Sequence, residues 1–81
     1  MIDILFFAQV RELTGTSSLQ LPADFATVEA LRAALTGRGE RWALALESGK
    51  LLVAVNQTLT TMAHPLRAGD EVAFFPPVTG G

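Results

Sequence analysis

The stretch TVEALRAALTG, residues 27–37, decides how the chain reads. Thr27 stands where a helix N-cap needs a side-chain oxygen, and Glu29 follows in the first turn, where a carboxylate meets the positive end of the helix dipole. Val28, Leu31 and Leu35 recur at helical spacing and share one face. Gly37 is a natural stop. The stretch therefore predicts one amphipathic helix over residues 28–36, with a single apolar stripe that some other element must cover.

Outward from this helix the period changes from helical to two. Toward the N-terminus, residues 17–21 alternate polar and apolar, and residues 2–7 form a β-rich apolar run; both read as strands. Between them, residues 8–14 suit a short helix turning Val10 and Leu13 inward, closed by Gly15. Toward the C-terminus a shorter helical segment is expected over residues 41–47, with Trp42, Leu44 and Leu46 as packing residues. Strands follow at 51–55 and 58–60 around an Asn56-Gln57 turn, and a last strand at 71–75. The order β-β-α-β-β-β, with extra helical turns, predicts an α+β fold: a mixed five-stranded sheet with helix packed on one face. That is the plan of a ubiquitin-like β-grasp domain over residues 1–75, with residues 76–81 as an extended tail.

Bulk properties narrow the function classes. At 81 residues, with 49% hydrophobic and 17% charged, the chain is one globular domain rather than a disordered segment. It has no cysteine, so disulfides, thiolate metal sites and a cysteine nucleophile are excluded. The net charge is −2, and the basic residues are scattered rather than striped, which argues against nucleic acid and anionic membranes as partners. The N-terminal run lacks the basic start of a signal peptide, and no stretch is long enough to span a bilayer. A cytoplasmic protein whose partners are proteins is expected.

The tail Pro76-Pro77-Val78-Thr79-Gly80-Gly81 breaks the pattern. Two prolines fix φ and remove two N–H donors, so neither strand nor helix continues. Six residues reach roughly 20 Å beyond the sheet. Gly80 and Gly81 carry no side chains, so the terminal carboxylate fits a channel too narrow for other residues. An adenylate formed on it with ATP has a good leaving group, and a sulfur donor displacing AMP leaves a thiocarboxylate on Gly81. Acid, base and metal would come from the activating enzyme, and no cofactor bound by this chain is expected. Most chain ends are simply disordered, yet two terminal glycines arise by chance in only about 0.5% of chains.

Alternation also suggests where partners dock. With Ile2, Ile4 and Phe6 in the core, Asp3, Leu5 and Phe7 lie outside; with Val72 and Phe74 buried, Glu71, Ala73 and Phe75 lie outside. Parallel pairing of first and last strands brings Phe7 and Phe75 onto one surface, which Leu59 extends. Such a patch marks a protein interface unless a helix covers it. Arg11, just beyond it, is either a partner for an acidic residue or merely solvated.

Other residues read as structural. His64 lacks companions for a metal site or triad, and Asp70 and Glu71 point to opposite faces. Gly37 and Gly39 form no phosphate loop. Lys50, the sole lysine, is more simply a solvated turn residue than an isopeptide acceptor.

The segments LFFAQVREL (5–13), TVEALR (27–32), RWALALE (41–47), VNQTL (55–59) and GDEVAFFPPVTGG (69–81) closely resemble the small subunit of molybdopterin synthase. The resemblance runs the full length, with differences mainly at 14–21, 33–40 and 60–67. The ending FFPPVTGG is specific to that family, whereas a diglycine is shared by many ubiquitin-like carriers. The resemblance implies that an E1-like adenylating enzyme and a sulfur donor enzyme convert Gly81 to a thiocarboxylate. The tail would then enter the large subunit of the synthase and donate sulfur to cyclic pyranopterin monophosphate, building the molybdopterin dithiolene. Two donations per pterin imply a heterotetramer. A carrier for thiamine or tRNA thiolation, a modifier forming isopeptide bonds and a plain interaction domain are the competing readings.

Overall fold

The computed structural model describes residues 1–47 and 51–77. Strand β1 (Ile2–Phe6) leads into helix α1 (Ala8–Thr14), then strand β2 (Ser18–Leu21), helix α2 (Val28–Thr36), helix α3 (Glu40–Ala45) and strands β3 (Leu52–Val55), β4 (Thr58–Thr60) and β5 (Glu71–Phe75). The strands form one sheet in the order β2-β1-β5-β3-β4. β1 and β5 run parallel at its centre, with Ile4 beside Val72 and Phe6 beside Phe74. Every other pairing is antiparallel.

Period-two burial sends Ile2, Ile4, Phe6, Val53, Val55, Val72 and Phe74 to one face, all buried. Onto that face α2 lays Val28, Leu31 and Leu35, joined by Val10 of α1 and by Leu46. Phe6 sits at the centre, stacked on Phe74 at 6.3 Å and edge-on to Trp42 at 5.4 Å. The α+β β-grasp architecture expected from the sequence is thus present.

The open N–H groups of α2 are all met. Thr27 Oγ1 accepts from Ala30 N–H at 3.2 Å, while Val28 and Glu29 donate to the carbonyls of His64 and Met62. His64 is half-buried, with its ring nitrogen 3.2 Å from Thr60 Oγ1.

Strands β2 and β3 each begin one residue later than expected, at Ser18 and Leu52, and three other boundaries move for local reasons. Phe7 leaves the strand to become the N-cap of α1, yet its N–H still donates to Phe74 O at 3.1 Å. α3 begins at Glu40, because Gly39 at φ 153° makes the turn into it. It ends at Ala45, where Leu46 closes the last turn on the Trp42 carbonyl. Leu44 is not a packing residue: it lies two positions from both Trp42 and Leu46, on the opposite side of the helix, and is exposed.

The β3–β4 hairpin turns through Asn56 and Gln57, both left-handed at φ 51° and 68°. This two-residue turn matches sheet twist but favours glycine at the second position. Gln57→Gly is expected to raise stability by about 0.5–1 kcal/mol, read as a higher midpoint in urea unfolding. An unchanged or lower midpoint would contradict that.

Asn56 also fastens the start of β5, exchanging hydrogen bonds with both backbone groups of Glu71 and donating to Asp70 Oδ1 at 3.0 Å. The Asn56 amide, then the Arg67 backbone N–H at 2.8 Å, hold the Asp70 carboxyl below its ordinary range. A depressed folded-state pKa gives stability that is present above the unfolded value and lost as pH falls through the folded one. Asp70→Asn is therefore expected to lower stability at neutral pH and to flatten its decline below pH about 4. Parallel acid profiles for the two proteins would refute the assignment.

Candidate functional site

The parallel β1–β5 pair ends with Phe6 beside Phe74, and the next residues, Phe7 (the extended N-cap of α1) and Phe75 (the last of β5), project to the face opposite the core. Antiparallel registers carry this face across the sheet: Leu52 lies opposite Phe75, Ala54 opposite Ala73, and Leu59 opposite Ala54. Leu5, beside Ala73, completes an apolar surface. The helical residues of the core all pack on the other side, so no described helix covers it. Phe7 is 46% and Leu59 64% exposed, while Phe75 is half-buried among its neighbours. The three residues expected to form a docking patch therefore do share one face.

A backbone device presents Phe7. Ala8 adopts φ 52°, uncommon for a residue with a Cβ, and this turns the chain from strand into helix. Arg11, in the same helix, is exposed and makes no ion pair among the described residues. Alternation in the sequence places Leu5 outside, but Leu52 and Ala54 are not assigned to this face by it. Alternation would have found them once the register was known, but register is a tertiary quantity.

Beyond β5, Pro76 is half-buried and Pro77 exposed. Val78, Thr79, Gly80 and Gly81 lie outside the described residues, as does Lys50. At the far end of the face Asp3 sits beside Glu71 on the neighbouring strand, and Gln20 Nε2 donates to Asp3 Oδ1 at 2.6 Å.

Among the described residues no three metal-ligating side chains cluster. Asp70, whose carboxyl is shifted, precedes β5, whereas the tail follows it. Among the described residues the tail end of the sheet offers mainly shape and apolar surface. No described helix is long and apolar enough to cross a membrane.

The sequence pattern of the ThiS family matches residues 4–81. The chain belongs to the ThiS family. Within reach of this ThiS protein is the molybdopterin synthase sulfur carrier subunit of Escherichia coli (strain K12), 68% identical over 81 residues that span both chains in full. Solved structures share the fold. The small archaeal modifier protein 1 of H. volcanii is 30% identical with a TM-score of 0.74, over 95% of this chain and 97% of that one. A chain in the protein–protein complex of subunits 1 and 2 of molybdopterin-converting factor from Helicobacter pylori 26695 gives 25% identity and a TM-score of 0.68, over 99% and 97%. These likenesses agree with the β-grasp fold of this ThiS family member.

Proposed function

We propose that this chain is a sulfur carrier of molybdenum cofactor biosynthesis, working through the carboxylate of Gly81. The observation that carries this reading is the 68% identity to a molybdopterin synthase sulfur carrier subunit along the whole of both chains. An E1-like adenylating enzyme activates Gly81 with ATP, and pyrophosphate leaves. Sulfide-level sulfur supplied by a donor enzyme then forms a C–S bond as the C–O bond to AMP breaks and AMP leaves, giving the thiocarboxylate. The tail carries it into the large subunit of the synthase, where sulfur passes to cyclic pyranopterin monophosphate. Two carriers and two large subunits assemble as a heterotetramer, so that two sulfurs reach each pterin.

The side chains of this protein have two tasks in that scheme. The apolar face of Phe7, Leu59 and Phe75 binds the partner, with Arg11 beside it. Pro76 and Pro77 stiffen the root of the tail, and Val78, Thr79 and Gly80 give access to the partner's active site. The large subunit and the activating enzyme use overlapping surface, because one tail cannot enter two active sites at once.

Likeness to an archaeal modifier protein supports a second reading, isopeptide attachment to target lysines. Intact mass spectrometry separates the two. The full chain is incubated with an E1-like enzyme, ATP and a sulfur source, with a Gly81-deleted control. A mass gain equal to replacing one oxygen by sulfur, absent from the control, is the expected result. No gain with an active enzyme, together with high-mass conjugates in cell extract, would favour the modifier.

A further inference from the structure

Among the described residues three that are not glycine hold a positive φ: Ala8, Asn56 and Gln57. Asn56 and Gln57 need it to close their hairpin. No such turn accounts for Ala8. At φ 52° its Cβ crowds the following carbonyl, and alanine has no polar side chain to offset that cost as an asparagine would. A conformation of this kind persists only where the surroundings over-determine it.

The surroundings do so through Phe7. The Phe7 N–H donates to the Phe74 carbonyl at 3.1 Å, which carries the parallel β1–β5 ladder one residue past the strand. The Phe7 carbonyl accepts from Val10 N–H at 3.1 Å and from Arg11 N–H at 3.4 Å, the first bonds of α1. One backbone group of Phe7 is thus committed to the sheet and the other to the helix, although its side chain makes no cap. Val10 is buried on the helical side of the sheet, whereas Phe7 is exposed on the other. The chain therefore changes sides within three residues, and the left-handed step at Ala8 makes the change. A different backbone there redirects the chain, and so loosens Phe7 or withdraws Val10.

We infer that Ala8 is a positioning residue for partner binding, whose left-handed backbone holds the Phe7 ring on the docking face before any partner arrives. This rests on the carrier reading above. The strained turn is formed during folding, so docking need not order the ring, and affinity gains what that ordering would have cost. Phe7 lies on the surface that both partners use, so Ala8 acts in the same way whichever of them arrives. Ala8 is itself exposed, and substitutions there remove no core contact.

The test is a double-mutant cycle on the full chain, with Ala8→Val placed in the parent and in Phe7→Ala, and Ala8→Gly beside them. Glycine adopts φ 52° freely, so Ala8→Gly is expected to melt about 2–5 °C above the parent and to bind the purified large subunit within about threefold of it. Valine, branched at Cβ, resists positive φ. Ala8→Val is expected to fold, to melt about 5–15 °C lower and to lose about tenfold or more in calorimetric affinity. In the Phe7→Ala background the same change is expected to alter affinity by less than about twofold, since the ring it misplaces is gone. A merely structural role would weaken binding by the same factor in both backgrounds. That result, or undiminished binding by Ala8→Val, overturns the inference and leaves the carrier reading standing. A melting temperature of Ala8→Gly below that of the parent shows no strain at Ala8 and overturns it as well. Ala8→Leu, unbranched at Cβ, replaces valine in the same cycle should Ala8→Val not fold, with the same pattern expected. A folded parent chain that does not bind the large subunit at all overturns the carrier reading, and this inference with it.

Discussion

Phe74→Ala is expected to cost about 3–5 kcal/mol, a lowering of the melting temperature by roughly 15–30 °C. Phe74 is fully buried in the central parallel pair, stacked on Phe6, which in turn meets the edge of Trp42. Its removal leaves a cavity beside Phe6 and Val53 at the centre of the sheet. The sheet cannot close that cavity without breaking the register that places Ile4 beside Val72. A domain of this size has about 5–10 kcal/mol in total, so the variant approaches the limit of folding. Thermal unfolding followed by far-UV circular dichroism measures it. A fall of less than about 5 °C would mean that the core collapses around the gap, contrary to the packing described.

Phe75→Ala, one residue further on, is expected to behave in the opposite way. Its side chain lies on the other face of the same strand, among Leu52, Phe7 and Ala73, and no described helix covers it. The loss in stability should be about 1 kcal/mol, the scale of a changed residue on a half-buried strand face. Affinity for the large subunit should fall about thirtyfold or more, since aromatic anchors at the centre of an interface dominate binding. Calorimetric titration of the folded variant provides the number. Binding within about threefold of the parent would remove Phe75 from the interface and shift the docking surface elsewhere on the chain. The two substitutions together separate core from interface, because alternation gives adjacent phenylalanines opposite tasks.

Much of this arrangement was legible before any tertiary contact was known. Thr27, the spacing of Val28, Leu31 and Leu35, and Gly37 define α2, because capping and a helical stripe are local properties. Alternation separated Ile2, Ile4 and Phe6 from Asp3, Leu5 and Phe7 and assigned Val72 and Phe74 to the core. It succeeded because a sheet covered on one side buries every second residue. Local rules failed at Leu44. Its apolar neighbours Trp42 and Leu46 suggested packing, but a six-residue helix turns only one face inward, and that residue belongs to the other.

By itself, then, the sequence determined the element order, the faces of the central strands and the chemistry available at Gly80 and Gly81, since each depends on residue type and short-range spacing. Only the tertiary structure decided that Leu52 and Ala54 join the surface formed by Phe7, Phe75 and Leu59, and that Leu13, Leu44 and Pro76 border one cleft. Those neighbours come from strand register and from the approach of α3 to α1. Both are set by contacts between residues far apart in the chain, which no local pattern encodes.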